Sequence, residues 1–540
     1  MPDELFPDQI KMDVVNKCAS TDNDMSHSNR LSSFSSLTSN MSHLKLTELQ
    51  RFYTGANIFI TGGTGFMGKM LLEKLLRTCT GIENIYLLIR PKKNKDIHTR
   101  IDELFDDLLF EKLKNEVPKF RHKLVAINGD CGQAGLGISL TDRQTLMQNV
   151  NIVIHAAATV RFDEKLKLAI SINVHGTKDI LSLCNEMKHL KSVIHVSTAY
   201  SNCHLRHIEE KFYQYPIQID DLENLVEKFD DEALAELTPR ILGNWPNTYA
   251  FTKALAEDVV RRNCKKLPLG IFRPAIVTSS AKEPVIGWID NLYGPTGVVA
   301  GAGTGILRTM HCDKDINANI VPVDYTVNAL IASVWDVAKA HEKHPAEEIP
   351  IYNYVSSVEN PITWGDFTDL NINYGFEFPF SSAIWYLSFR MHRSAAINSL
   401  YMLFLHFLPA LLIDSLAMIV GQKPRLLKIY KKVHKFSNVI SFFCTNEWVF
   451  TNNNVQKLWL KLDESDQKLF DFNLKGLDWF EYLRYYIRGM RVYLMKDDLS
   501  TLEASKRKWN RFYWLHQLLK LFLAATALYF VGTLVYNFSH

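Results

Sequence analysis

From Asn57 onward the chain alternates short apolar runs, rich in β-branched and aromatic residues, with longer stretches whose apolar residues recur at helical spacing. The runs cover residues 57–61, 84–90, 122–128, 151–155, 192–198 and 268–273. Strands and helices alternating in this way predict β-α-β units, and so a parallel sheet covered by helices on both faces. Between Cys203 and Trp245 the rhythm gives way to a polar, acidic segment, read as a helical insertion. After about Pro345 it fades into a helical region rich in aromatic residues. Residues 1–49 hold few apolar side chains and a Ser/Asn/Thr-rich run, which cannot bury enough surface to offset their ordering entropy, so a disordered tail is expected. Asp3, Glu4 and Asp8 stand where a secretory signal needs positive charge.

The first apolar run leads directly into Thr61-Gly62-Gly63-Thr64-Gly65-Phe66-Met67-Gly68, followed by the helical pattern Met70, Leu71, Leu72, Leu75, Leu76. Strand, glycine turn and helix in this order suit a dinucleotide pyrophosphate. Glycines let the main chain approach the phosphates, and the helix aims unpaired N–H groups and its positive dipole end at them. The second run ends at Arg90, followed by Pro91-Lys92-Lys93. A carboxylate there would suit the ribose of NAD, whereas a guanidinium suits a 2'-phosphate, so the expected cofactor is NADPH; the alternative is a basic loop in water. Asp130 stands after the third run, either receiving the adenine amino group or serving as an ordinary strand-end turn residue.

Two further sites carry chemistry. Tyr249 and Lys253 are four residues apart, one helical turn, which sets an ammonium near a phenol and would favour the phenolate. Among the 21 tyrosines, Tyr249 alone has Lys at that interval. Ser197 and Thr198 close the fifth run, at the sheet end where open α/β sheets bind ligands. Their hydroxyls point to opposite faces, and Thr198 is the preferred donor to a substrate oxygen, with Ser197 the alternative.

Net charge is +3 with 22% charged residues, so no clustered basic surface marks a nucleic-acid partner. The 8 cysteines are scattered, with neither a C-x-x-C pair nor a clustering with histidines, so reduced thiols are expected rather than disulfides or a metal site.

Together, TGGTGFMG, the Tyr249/Lys253 pair and the Ser197-Thr198 strand end resemble the extended short-chain dehydrogenases/reductases. The likeness narrows with Tyr86-Leu87-Leu88-Ile89-Arg90, Gly129-Asp130, the segment His155 to Phe162, Asn173-Val174-His175-Gly176-Thr177, Phe272-Arg273-Pro274, Gly287-Trp288-Ile289-Asp290-Asn291 and Val321-Pro322-Val323-Asp324. These resemble the animal fatty acyl-CoA reductases, the male-sterility family. The resemblance implies an α/β, Rossmann-like doubly wound parallel sheet with a smaller helical C-terminal domain. It also implies NADPH-dependent reduction of long-chain acyl-CoA to the primary alcohol through an aldehyde. By position it makes Thr198, Tyr249 and Lys253 catalytic, and assigns cofactor binding to Thr61, Gly62, Gly65, Phe66, Gly68, Arg90, Asp130 and Lys253, with no metal. Asn173 takes a supporting role, as in a proton relay. A membrane-bound hydroxysteroid dehydrogenase shares the scaffold but usually takes NAD, against which Arg90 argues. A non-catalytic lipid-binding protein is disfavoured by the complete Thr198, Tyr249 and Lys253 set.

The expected domains are residues 50–345 for the reductase, 346–511 for the helical domain and 512–540 for a membrane anchor. Residues 399–413 form an apolar run shorter than the roughly 20 residues a spanning helix needs. Basic residues flank it on both sides, so it is read as dipping into one leaflet, with a buried core helix or a true span as the alternatives. Residues 521–540 carry no charge and follow Lys506, Arg507, Lys508 and Arg511, with Trp509 and Trp514 at the boundary. That pattern predicts a single C-terminal span with the enzyme in the cytosol, on the endoplasmic reticulum or peroxisome.

Overall fold

The structure is a computed structural model that describes residues 46–91, 96–215, 217–263, 267–343 and 348–539. Most of the expected tail, residues 1–45, lies outside the described residues, as do Lys92, Lys93 and His540. The end of that stretch is ordered: Thr47 caps the helix Glu48–Tyr53, and Leu49 and Tyr53 are buried.

Seven parallel strands make the main sheet: β1 (Asn57–Thr61), β2 (Asn84–Ile89), β3 (Leu124–Asn128), β4 (Ile152–His155), β5 (Ser192–Val196), β6 (Leu269–Pro274) and β7 (Ile351–Tyr354). Their order is β7-β6-β5-β4-β1-β2-β3. Six match the expected runs within a few residues. β7 was not expected, and it pairs with β6 in the register Ile351↔Ile271 to Tyr354↔Pro274. The sheet therefore takes its edge strand from beyond residue 345, the expected end of the reductase domain. β5 stops at Val196, so Ser197 and Thr198 follow the strand, yet Ser197 N and Ala199 N still donate to Phe272 O and Pro274 O. These bonds keep the strand's alternation of faces through Thr198.

The strand order reverses between β1 and β4, and their carboxyl ends frame the crevice where ligands bind in such sheets. Three helices shape that crevice. α1 (Phe66–Thr78) leaves β1 through the glycine turn, α2 (Thr248–Arg262) carries Tyr249 and Lys253, and α3 (Pro295–Gly303) is built from small residues. α4 (Val323–Lys343), largely buried, packs against α1 on one face of the sheet. The acidic segment between Cys203 and Trp245 is a helical insertion, with helices at Ile219–Lys228 and Asp231–Leu242.

The C-terminal region adds α5 (Trp364–Glu377), α6 (Leu408–Ile419), α7 (Leu426–Thr445) and α8 (Leu502–Ser539). The apolar segment is longer than the expected 399–413, running as one helical stretch over Ala395–Ile419. Asp414 does not end it, because its carboxylate faces the next helix. Oδ1 accepts from Arg425 N and Leu426 N at 3.0 Å, and Oδ2 from Leu427 N at 2.9 Å. The carboxylate thus satisfies orphan donors of α7 and closes an α6–α7 hairpin. Trp509 also departs from expectation: it is only 5% exposed, packed with Ala383 and Leu387, whereas Trp514 is 62% exposed.

Candidate active site

The phosphate cradle follows from two glycines. Gly62 has φ +76, and a Cβ there would lie 2.7 Å from the Ala156 carbonyl carbon and 2.8 Å from Ala157 N. A Cβ on Gly68 would strike the Gly62 carbonyl oxygen and lie 2.7 Å from Gly63 Cα. Any other residue at either place would push the turn off β4 or α1 off the turn. α1 begins after Gly65, where no side chain caps it, so its first-turn N–H groups are offered to a ligand. Phe66 stacks on Trp288 at 5.3 Å. Trp288 Nε1 donates to Asp107, and Lys69 bridges Asp107 and Asp290 at 3.1 and 2.9 Å, which ties the Trp288–Asp290 loop to the start of α1.

Thr61 stands behind this turn rather than on the cavity wall. Its hydroxyl meets His155 Nδ1 at 2.7 Å, while Ala157 N donates to it at 3.1 Å. The Thr177 hydroxyl donates to Asn173 O at 2.7 Å and so must accept from His155 Nε2, 3.1 Å away. His155 is therefore neutral with its proton on Nε2, and Nδ1 accepts from Thr61. Burial and the nearby Lys253 charge push its pKa down to about 3. His195, whose ring lies 5.4 Å away, is held well below its usual value for the same two reasons, and neither of its ring nitrogens has a partner among the described residues.

Tyr249, Lys253 and Glu257 follow one another by four residues along a single face of α2. Lys253 Nζ donates to the Val196 carbonyl oxygen at 2.7 Å. Burial pulls its pKa down to about 8, partly opposed by Glu257 and Cys131. Tyr249 shares a hydrogen bond with Thr198, and burial pushes its pKa up to about 12. The expected drop in the tyrosine pKa is thus absent: the ammonium is turned to a backbone carbonyl, and burial of the phenol outweighs its bond to Thr198. Thr198 Oγ1 also accepts from Tyr200 N at 3.2 Å, leaving its proton to donate.

Glu257 decides between the two strand-end hydroxyls. Ser197 Oγ donates to Glu257 Oε1 at 2.5 Å and Ser201 Oγ does so at 3.0 Å, so Ser197 is committed to the interior. Glu257 also pairs with Arg273 through Nε at 2.8 Å and Nη2 at 2.6 Å, both side chains being fully buried. Arg273 further donates to Glu209 O and Lys211 O, fastening the start of the insertion to β6. Sequence reasoning missed Glu257, although its spacing from Lys253 was there to be read. Asn173 Nδ2 donates to Thr252 Oγ1 at 2.9 Å and its Oδ1 accepts from Thr159 N at 2.9 Å, which sets it behind α2 as a support.

Gly62, Gly65, Phe66, Gly68, Arg90, Asp130, Thr198, Tyr249 and Lys253 all line one cavity of about 1780 Å³. Arg100, which the sequence did not flag, lies beside Arg90 on the same wall and donates to its carbonyl oxygen. Arg90 Nε approaches Asp130 Oδ2 at 4.0 Å, while Asp130 Oδ1 accepts from Gly132 N at 2.9 Å, the turn role open to it from the start. Beyond Tyr249 the cavity becomes apolar and passes between α3, α5 and α7.

A glycine cradle at the switch point with a Tyr/Lys helix beside it defines a reductase of the extended short-chain dehydrogenase class. Models of the male sterility protein family match residues 60–330, the NAD-binding part, and residues 405–497. The chain is 48% identical over 484 residues to "Fatty acyl-CoA reductase wat" of Drosophila melanogaster, covering 89% of this chain and 93% of that protein. It is 35% identical over 507 residues to "Fatty acyl-CoA reductase 1" of Homo sapiens, covering 91% and 98%. Among solved structures, the reductase domain of a nonribosomal peptide synthetase from Mycobacterium tuberculosis shares the fold, with a TM-score of 0.55 at 16% identity over 84% of this chain and 98% of that one. The terminal reductase domain of the myxalamid pathway does so with a TM-score of 0.52 at 19% identity, over 82% and 91%. This chain belongs to the male sterility family of fatty acyl-CoA reductases, and its cradle is that of a nicotinamide dinucleotide.

Proposed function

We propose that the chain reduces long-chain fatty acyl-CoA to the primary alcohol and free CoA, with NADPH as reductant. The observation that carries this reading is the convergence of Thr198, Tyr249 and Lys253 on a wall of the same cavity that continues into an apolar channel. The family assignment agrees with it. Arg90, with Arg100 beside it, supports the 2'-phosphate form of the cofactor, since guanidinium forks match phosphate oxygens. Gly62, Gly65, Phe66 and Gly68 would hold the pyrophosphate, with Thr61 bracing the turn from behind.

When bound, one NADPH would supply a hydride to the thioester carbonyl carbon, and a second NADPH, taken up after the oxidised cofactor leaves, would supply one to the aldehyde carbon. Thr198, itself buried, donates to the carbonyl oxygen as it gains charge, and a fixed donor in a buried site is worth more than one in water. Tyr249 completes the oxyanion site and gives its proton to the alkoxide of the second reduction. Lys253 holds the nicotinamide ribose, and its ammonium lies on the same helical face as the phenol it assists. CoA leaves as the tetrahedral adduct collapses, so no acyl-enzyme and no cysteine nucleophile enters. Incubation of the purified chain with NADPH and a panel of acyl-CoAs, with products identified by gas chromatography, tests the reading. Primary alcohol and two oxidised cofactors per thioester are expected; no consumption with any acyl chain overturns it.

Two helical stretches, Ala395–Ile419 and the one containing α8, are long and apolar enough to cross a membrane. Their exposed apolar faces support membrane association, with Ile419 80% and Phe522 66% exposed. We read α8 as a single span with the catalytic half in the cytosol, on the endoplasmic reticulum or peroxisome. α6 is read as interfacial, because Asp414 turns the chain back into α7, which lines the cavity, and the intervening loop carries Lys423 and Arg425 at headgroup level. Carbonate extraction checks the anchor: loss of residues 515–540 should free the protein, and unchanged retention would assign attachment to α6.

A further inference from the structure

The apolar part of the cavity has a direction that contacts along its wall define. Phe162 stacks on Tyr249 at 5.6 Å and leans on Phe443 of α7 at 5.3 Å. Farther along α7, Phe436 faces Gly297 at the start of α3, where an added Cβ would meet its ring at 3.1 Å. At the other end of α3, Gly303 faces Phe380, where a Cβ would lie 2.6 Å from the ring. Gly297 and Gly303 are about 9 Å apart along the helix axis, so the channel runs the length of α3 away from Tyr249. Ala383 N donates to Phe380 O, Ala383 and Leu387 pack on Trp509, and Trp509 lines the cavity with Leu387 and Gly375.

We propose that Trp509 is the end wall of the acyl channel and sets the longest acyl chain that fits. The inference rests on the acyl-CoA reading above and deepens it. Trp509 stands in the first turns of α8, lines the cavity, and is 5% exposed. Phe376 meets its ring edge-on at 5.6 Å and Tyr386 at 6.2 Å, which fixes the indole in place. Its Nε1 is buried and has no partner among the described residues, so shape rather than hydrogen bonding holds the ring on the cavity wall. The group that closes the channel therefore belongs to the same helix that carries the apolar tail. Trp509 is buried where Trp514, five residues on, is 62% exposed, so its ring faces the protein and not the outside of the helix.

The test compares kcat/KM for lignoceroyl-CoA and palmitoyl-CoA in the full chain. Trp509→Ala should raise the ratio of the longer to the shorter substrate about tenfold or more, since a methylene group gained or lost in an apolar pocket changes kcat/KM by that order. Gly375→Val should lower the ratio: a Cβ at Gly375 lies 3.7 Å from Leu387 Cδ1, so the helix tolerates it while the valine fills the channel. Trp514→Ala, on the exposed face of the same helix, should leave the ratio as it is. If Trp509→Ala does not fold by circular dichroism, Trp509→Leu takes its place. Unmoved ratios in a folded Trp509 variant overturn the end wall. A wild-type chain that reduces no acyl-CoA overturns the reductase reading instead.

Discussion

The Lys253 ammonium donates to the carbonyl oxygen of Val196 at 2.7 Å and, with the Ser197 to Glu257 bond one turn farther on, ties the helix that carries Tyr249 to the strand that delivers Thr198. Burial, opposed only in part by the Thr198 bond, keeps the Tyr249 pKa high. The positive charge is held beside the strand, while the phenol meets Thr198 on the cavity wall. With its pKa pushed up to about 12, Tyr249 stays protonated across the physiological range, as the proposed proton donor requires.

Replacement of Tyr249 by Phe should lower kcat by roughly 10²–10⁴-fold with NADPH binding retained, as general-acid loss does. Thr198→Val should cost roughly 10²–10³-fold, the range for one oxyanion donor. Steady-state kinetics with cofactor binding followed by fluorescence checks both. Undiminished alcohol formation by either variant would remove that residue from the mechanism.

The activity should depend on pH through Lys253. Its pKa of about 8 means that the ammonium is lost as pH rises through that value, so kcat/KM, which reports the free enzyme, should fall above about pH 8. Arginine stays charged there, so any activity left in Lys253→Arg should lack this descending limb. A limb that persists unchanged in that variant would belong to another group.

Stability should fall on acidification. His155, at about 3, and His195, also lowered, are neutral in the fold but titrate near 6.5 when the chain unfolds. Below that value the unfolded chain binds more protons, so stability is lost as pH drops from about 6.5 toward 3, by up to about 1.4 kcal/mol per pH unit for each group. Thermal melts across that window should show the slope, and a His155→Gln variant should flatten it.

Glu257→Gln or Arg273→Met alone should destabilise the protein by about 3–5 kcal/mol, since each leaves a buried charge without its counter-charge. The double variant should lose less than the sum of the two. Denaturant melts of all three decide it, and strict additivity would show that the two side chains do not act as a pair.

Arg90→Ala should raise the KM for NADPH about tenfold while leaving that for NADH little changed, with Arg100→Ala acting in the same direction. Equal effects on both cofactors would show that neither guanidinium reads the 2'-phosphate.

Much of this architecture is legible in the sequence because its signals are local. The glycine turn, the Tyr249/Lys253 interval and the six longer strand runs each declare themselves within a few residues. What stays hidden depends on partners far along the chain. β7 has only four residues, behind Pro350, and becomes a strand through pairing with β6 some 80 positions earlier. Arg100 carries no motif and reaches Arg90 only because its helix packs beside β3. Asp414 looked like the end of an apolar run because the backbone N–H groups it satisfies belong to the following helix. Trp509 fitted an aromatic belt by position, and only the packing of Ala383, Leu387 and Phe376 around it shows otherwise. Glu257 was within reach, one more turn along the helix from Tyr249 and Lys253, where a fully buried acid signals a partner.

The Ser197 to Glu257 bond reduces the catalytic geometry to two rigid bodies and one joint. Tyr249, Lys253 and Glu257 move together because α2 fixes their spacing, and Thr198 follows them because its neighbour is latched to the same helix. A protein engineer grafting this chemistry onto another scaffold would have to carry the helix, the strand end and the buried carboxylate as one cassette. Moving Thr198, Tyr249 and Lys253 alone would leave the joint behind.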